Sequence, residues 1–279
     1  MDVVCTLDDN YLIPTGVLLT SLCENNIGED ITVYIVAYQL KKETISSLEN
    51  IVKGNYSQKI EFYYSSFEEV LGKFNLGNPE GHLSLDAFFR LFLATILPQD
   101  THKVLYLDGD MIVRRNISDL WNTDIEDYAL GGVEDESVER FIEKDLFTLL
   151  GFDEKYLYFN SGVLLINLDY WRQNNVENRL IQYAKKHKYQ LPNNDQDLLN
   201  AVLYNEKKLL SLTYNLSDNF YRRKRNSRPT IWQETDSFLS DPHIVHFTGA
   251  KKPWLPSCVH PMQKEYFKYL DKTEWKGKR

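Results

Sequence analysis

Cysteine is scarce in this chain. Its three residues, Cys5, Cys23 and Cys258, form an odd set without metal-ligand spacing, which argues against a disulfide framework or a cysteine zinc site and suits packing thiols in a reducing compartment. Net positive charge is missing too: 32 Lys and Arg stand against 40 Asp and Glu, a formal net charge of -8. A general nucleic-acid binder would be basic, so no nucleic-acid partner is expected. A partner carrying phosphate then needs a local pocket lined by basic groups or a metal. No apolar run approaches the roughly 20 residues that span a bilayer. The opening Met1-Asp2-Val3-Val4-Cys5-Thr6-Leu7-Asp8 lacks the basic region of a secretory leader, and repeats and low-complexity runs are absent. A cytoplasmic protein is expected, with peripheral contact at the inner face of the membrane left open.

What is present is enough apolar material, 43% of 279 residues, to bury a large core as one domain. Runs at 2–7, Ile31 to Tyr38 and Lys59 to Tyr64 read as strands. They alternate with helical patterns over Pro14 to Cys23 and Glu43 to Val52, the signature of βαβ units and a parallel sheet. The turn-rich segment 75–82 breaks the rhythm and reads as a lid. A helix is expected over Leu85 to Leu97, strands over Lys103 to Val113, Ala129 to Val133 and Gly162 to Asn167, and helices over Val138 to Leu150, Val176 to Lys186 and Gln196 to Tyr204. Beyond about residue 205 the pattern loosens into a basic cluster at 222–228, a short helix Trp232 to Leu239, a strand His243 to His246 and a closing helix Met262 to Leu270. The cluster is either a solvated loop or a contact for an anionic acceptor or membrane surface.

The stretch with chemistry in it is Lys103-Val104-Leu105-Tyr106-Leu107-Asp108-Gly109-Asp110-Met111-Ile112-Val113. It reads as a buried strand delivering two carboxylates at its carboxyl end, where ligands gather in open α/β sheets and a divalent cation can be held. The triplet alone says little, since roughly one or two arise by chance at this Asp content, and Asp195-Gln196-Asp197 is a second. Three other stretches join it. His246-Phe247-Thr248-Gly249-Ala250-Lys251-Lys252-Pro253-Trp254 offers an imidazole, which is either a structural group or a ligand, and lysines suited to phosphate. Asp8-Asp9-Asn10 either caps a helix or reads the edge of a base. Asn193-Asn194-Asp195-Gln196-Asp197 crowds an amide and two carboxylates into one helix start.

In their order and spacing, the blocks Val3 to Tyr11, Lys103 to Val113, Tyr158 to Asn167, Asp195 to Asn200 and His246 to Trp254 resemble glycosyltransferase family 8. The resemblance runs from Asp2 to about Gly277. It implies a GT-A-type, Rossmann-like α/β domain with a mixed, mostly parallel sheet flanked by helices. A nucleotide-sugar core would cover about 1–205, and an elaborated C-terminal third, about 206–279, would complete the metal and phosphate site. It further implies that Asp108, Asp110 and His246 hold Mn2+, or Mg2+, with the diphosphate of UDP-galactose or UDP-glucose. Asp8 and Asn10 would hold the uridine, and Gly249 and Lys252 the phosphates. Arg90 would lie near the sugar and diphosphate, a helix-surface ion pair being its plain alternative. Asp135, Asn160, Asp195 and Gln196 would surround the transferred sugar, with Glu134 an alternative to Asp135.

Such an enzyme would move the hexose to a glycan or glycolipid hydroxyl with retention. Gln196, at the position of a double-displacement nucleophile, is a poor nucleophile, which favours same-face attack; Asp195 keeps the other route open. Two further readings use the same residues. A phosphohydrolase of the haloacid dehalogenase type would use Asp108 as nucleophile, although Met111 and Ile112 replace its usual Gly-Thr. A non-catalytic sugar-nucleotide-binding protein would keep the pocket without turnover.

Overall fold

The computed structural model describes residues 1–66, 85–135, 143–187, 193, 195–222 and 238–279, without the side chains of residues 85–87, 143–145, 219 and 222. Val3, Val4 and Cys5 are fully buried because β1 (Asp2–Thr6) runs through the middle of a seven-stranded sheet. The order is β3-β2-β1-β4-β7-β6-β8, with β2 (Thr32–Ala37), β3 (Lys59–Tyr64), β4 (Lys103–Leu107), β6 (Leu130–Glu134), β7 (Phe159–Asn167) and β8 (Lys207–Leu210). Strands β3, β2, β1 and β4 are parallel; β7 runs antiparallel to β4 and β6; β8 is parallel to β6. The mixed, mostly parallel sheet of the GT-A type is therefore present.

Alternate side chains go to opposite faces, as a pleated strand requires. Val3, Cys5, Leu105, Leu107, Val163 and Leu165 join one core; Val4, Tyr106, Leu164 and Ile166 join the other. The first core is roofed by α1 (Leu12–Asn25), α2 (Lys42–Glu49), α10 (Gln263–Leu270) and a small sheet of β5 (Met111–Val113), β10 (Ile244–His246) and β9 (Leu216–Ser217). The second is covered by α3 (Leu93–Ile96), α6 (Leu168–Gln173), α7 (Val176–His187) and α8 (Asp195–Leu203).

Helix α1 is wedged between the two sheets, with every residue from Pro14 to Cys23 buried. Its last turn grips β5. Ser21 Oγ accepts from Val113 N at 2.9 Å, and Asn25 Nδ2 donates to Val113 O at 3.0 Å and to the Tyr269 hydroxyl of α10 at 2.8 Å.

Several elements differ from expectation. The segment Leu85–Phe92 is a 3-10 helix, and only Leu93–Ile96 is α-helical. Phe88, Phe89, Arg90, Leu91, Phe92 and Leu93 are all buried, so over 88–93 packing on all sides, rather than a 3.6-residue stripe, accompanies the tighter winding. The second helix stops at Glu49 and continues as a π-turn, Asn50–Asn55. Strands β8 and β9 were missed, one carrying two lysines and the other two residues long. The short helix α4 (Ser118–Trp121) and α9 (Asp218–Arg222) complete the chain, with α5 (Glu143–Leu150) covering the described part of the expected 138–150 helix. The lid at 75–82, the bulk of the cluster at 222–228 and most of the helix at 232–239 lie outside the described residues. Among the described residues no helix is long and apolar enough to cross a membrane.

Since Asn25 ties α1 to β5 and α10, Asn25→Ala should cost about 1–3 kcal/mol, the desolvation of the abandoned partners. Urea denaturation checks it, and an unchanged midpoint would contradict this role.

Candidate active site

Strands β4 and β5 part company at Asp108-Gly109-Asp110. One stays in the large sheet and the other crosses to the small one, so both carboxylates stand at the seam. A side chain at Gly109 would have its Cβ 2.7 Å from Thr15 Oγ1 and 3.1 Å from the Tyr11 ring; the glycine lets the seam lie against α1. Strand β10 pairs antiparallel with β5, His246 opposite Met111, and Phe247 N donates to Asp110 O at 3.0 Å. That register carries the imidazole to the carboxylates. His246 Nε2 lies 3.3 Å from Asp110 Oδ1 and 3.7 Å from Asp108 Oδ2, and one ligand atom from each residue falls within 4.8 Å of the others. Gly162 on β7 makes room: a Cβ there would come 2.3 Å from His246 Cε1 and 2.8 Å from Asp108 Oδ2.

The donor set suits a divalent cation of the Mn2+ or Mg2+ kind, two carboxylates with one imidazole. His246 Nδ1 is engaged by Asn215 Oδ1 at 2.9 Å, which leaves Nε2 on the side of the carboxylates. Lys252 Nζ donates to Asp110 Oδ2 at 2.6 Å and to Phe247 O at 2.7 Å. Burial opposes the Asp110 charge, yet His246 and Lys252 together hold this carboxyl well below the usual carboxylate range. Lys252 is shifted up, because Asp110 outweighs the burial of its ammonium.

Arg90 is only 5% exposed, so the helix-surface ion pair is ruled out. Its Nη2 meets Asp108 Oδ1 at 3.0 Å, its Nε meets Asp195 Oδ2 at 3.1 Å, and its Nη1 donates to Ser161 O at 2.7 Å. The guanidinium sits 4.5 Å from the centre of the Tyr106 ring, whose hydroxyl donates to Asp108 Oδ1 at 2.7 Å. Burial pushes the Asp195 carboxyl up, and Arg90 offsets only part of that push.

The remaining wall comes from a bulge. Gly132 pairs with Leu164 but Val133 pairs with Asn160, which releases Ser161 to Val163 from β6 and turns the start of β7 toward the cleft. Helix α8 clamps that start. Asn200 Oδ1 accepts from Phe159 N and Gln196 Oε1 accepts from Ser161 N, both at 2.9 Å. Residues four apart on a helix meet residues two apart on a strand. Gln196 Nε2 and Asn160 Nδ2 then donate to Asp135 Oδ2 at 2.9 and 3.2 Å. Asp135, not Glu134, belongs to this cluster.

Two adjoining pockets share Arg90 and Asp108. Asp135, Asn160, Asp195, Gln196 and Gly249 line one; Asp8, Tyr11 and Asp110 line the other. Asp8 caps the turn Asp9–Tyr11, accepting from Asn10 N at 2.9 Å and Tyr11 N at 3.1 Å, and also accepts from Asn10 Nδ2 at 3.0 Å. Capping and pocket position are thus both true of Asp8, while Asn10 is exposed beside it. Lys251 is exposed and Lys252 is paired with Asp110. Sequence reading missed Tyr11, Tyr106, Ser161 and Asn215. Tyr106 carried one signal, a hydroxyl inside an apolar strand.

A family profile, Glycosyl transferase family 8, matches residues 2–258. The chain belongs to glycosyltransferase family 8. Among relatives, it is 28% identical to General stress protein A of Bacillus subtilis over 99% of this chain and 94% of that protein. It is 26% identical to a lipopolysaccharide 1,2-glucosyltransferase of Escherichia coli over 99% of this chain and 79% of that protein. Among solved structures, the galactosyltransferase LgtC in complex with donor and acceptor sugar analogues superposes with a TM-score of 0.87 at 26% identity, each chain covered completely.

In this family 8 chain Arg90 separates the half-buried Asp108 from the buried Asp195, and Arg90→Met would leave both carboxylates without it. An acid raised on folding binds more protons when folded, so stability then falls as pH rises from the ordinary Asp value of 3.8. The variant should lose about 3–5 kcal/mol at about pH 7 and clearly less at about pH 4. Urea denaturation at both pH values checks this, and an equal loss at each would count against it.

Proposed function

We propose that the chain is a metal-dependent retaining hexosyltransferase, moving galactose or glucose from a UDP-sugar to a hydroxyl of a glycan or glycolipid acceptor in the synthesis of cell-surface polysaccharide, lipopolysaccharide or glycoprotein. The observation that carries it is the convergence of Asp108, Asp110 and His246 at the junction of two pockets, with Asp135, Asn160, Asp195 and Gln196 along the farther one. The named activities of the lipopolysaccharide glucosyltransferase and LgtC support a hexose donor.

Asp108, Asp110 and His246 would hold Mn2+ or Mg2+, which when bound supplies Lewis-acid stabilisation of charge on the departing diphosphate. Lys252, already held at Asp110, supplies a mobile ammonium for the same oxygens, and Gly249 lets the backbone approach them. Asp8, Asn10 and Tyr11 flank the nucleotide pocket. On the sugar side, the Gln196 amide is committed to Asp135 and Ser161 and the Asp195 carboxylate to Arg90. Neither is poised as a free nucleophile, which supports same-face attack by the acceptor hydroxyl, its proton passing to a leaving phosphate oxygen. Asp108, gripped by Arg90 and Tyr106, is equally unsuited to the phosphohydrolase role, and the family assignment removes that reading. We read the chain as one catalytic unit working in the cytoplasm.

Mn2+ should restore hydrolysis of UDP-galactose or UDP-glucose to EDTA-treated protein, and Asp110→Ala should lower turnover at least about a thousandfold, as losing several kcal/mol of charge stabilisation implies. Wild-type turnover by that variant, assayed by UDP release with its circular dichroism unchanged, would contradict the assignment. An intact protein that binds UDP-sugar and Mn2+ without turnover would point to the non-catalytic reading.

A further inference from the structure

A single backbone group decides where His246 carries its proton, two side chains away. Gly162 N–H can only donate, and it donates to Asn160 Oδ1 at 2.9 Å. That fixes the Asn160 amide with its NH2 toward Asp135. Asn215 Nδ2 donates to the same Oδ1 at 2.9 Å, so the Asn215 carbonyl oxygen faces the other way, onto His246 Nδ1. An amide oxygen only accepts. In the neutral ring that a metal ligand must be, the proton of His246 therefore sits on Nδ1, and Nε2, on the side of Asp108 and Asp110, is the nitrogen left free to bind.

Asn215 is 2% exposed and stands immediately before β9, whose Leu216 and Ser217 pair with Val245 and His246. It is bonded to Asn160 and His246, the residues that reach Asp135 and the Asp108–Asp110 pair. We infer that Asn215 is a positioning residue serving both halves of the site: its oxygen sets the tautomer and aim of His246, and its NH2 helps hold Asn160 toward Asp135 and the sugar pocket. The inference rests on the metal-dependent reading above.

Its test separates metal binding from turnover. Mn2+ affinity is measured by isothermal titration calorimetry, and kcat by hydrolysis of UDP-galactose and UDP-glucose at saturating Mn2+. Asn215→Asp keeps an acceptor for His246 Nδ1 but sets an oxygen against Asn160 Oδ1. Its Mn2+ affinity should hold or rise while kcat falls about 10–100-fold. Asn215→Ala loses both contacts and should lose about 10–100-fold in Mn2+ affinity as well as kcat. An alanine variant equal to wild type in both, or an aspartate variant that loses Mn2+ affinity as heavily as alanine, would overturn the inference. If either variant fails to fold, 15N NMR of the wild-type imidazole with saturating Mg2+ and UDP decides: a proton on Nδ1 supports it and one on Nε2 overturns it. A wild-type protein that binds no Mn2+ would remove the metal-dependent reading itself and the inference with it, whereas Mn2+ binding with unaffected variants removes only the inference.

Discussion

Four carboxylates, those of Asp108, Asp110, Asp135 and Asp195, converge at one end of the large sheet, and their repulsion is the constraint the rest of the cleft answers. Two unit charges about 4 Å apart cost about 4 kcal/mol at a surface-like dielectric of about 20, so such a cluster is tolerable only when cations and donors are built between its members. Arg90 stands between Asp108 and Asp195, Lys252 and His246 face Asp110, and two side-chain amides satisfy Asp135. Four negative charges against the two of Arg90 and Lys252 leave an excess of two. That excess is what a divalent cation would neutralise, and it lies where the imidazole supplies a nitrogen donor. With such a cation bound the cleft would carry no excess charge, although the chain as a whole is negative.

The cluster exists because the chain changes sheets in the middle of one apolar run. A single continuous strand over Lys103 to Val113 would send Asp108 and Asp110 along one extended face of the same sheet. The break at Gly109, with β5 paired to β10, brings residues from the far end of the chain alongside. Helix α1 makes this junction rigid by bonding β5 through Ser21 and Asn25. The C-terminal third thus helps build the cleft, since β10 and the residue before β9 bring His246 and Asn215 to the seam.

What the sequence makes legible follows from range. Buried strands with period-two alternation and helices between them are local patterns, and β1 to β3 and β7 fall close to where they are expected. The Asp-x-Asp strand end is local as well. Arg90 is different: the resemblance points to it and leaves a surface ion pair as the alternative, and only the fold shows it as a buried bridge between two carboxylates. Asn215 has no local signal at all, because its role arises from a two-residue strand pairing with another of three residues. The bulge at Gly132 and Val133 is equally silent, being a property of two strands rather than one. Tyr106 lay in plain view inside the central strand, and its hydroxyl, at odds with an apolar run, was the one available hint of a support for Asp108.

The same long-range logic links the two pockets. The loop from Phe247 to Trp254 begins with a backbone bond to Asp110 and ends with Trp254 set edge-on to Tyr11, ring centres 6.2 Å apart. Between these anchors it carries Gly249 and Lys252. The loop is thus tied at one end to the Asp110 strand and at the other to the Tyr11 pocket. Were diphosphate oxygens to bind as proposed, Lys252 could exchange one anionic partner, Asp110, for another at the same seam. Exchanging its hydrogen bond to Asp110 would free that carboxylate oxygen for a cation. On the proposed reading, phosphate binding and cation binding would favour each other through this one ammonium group.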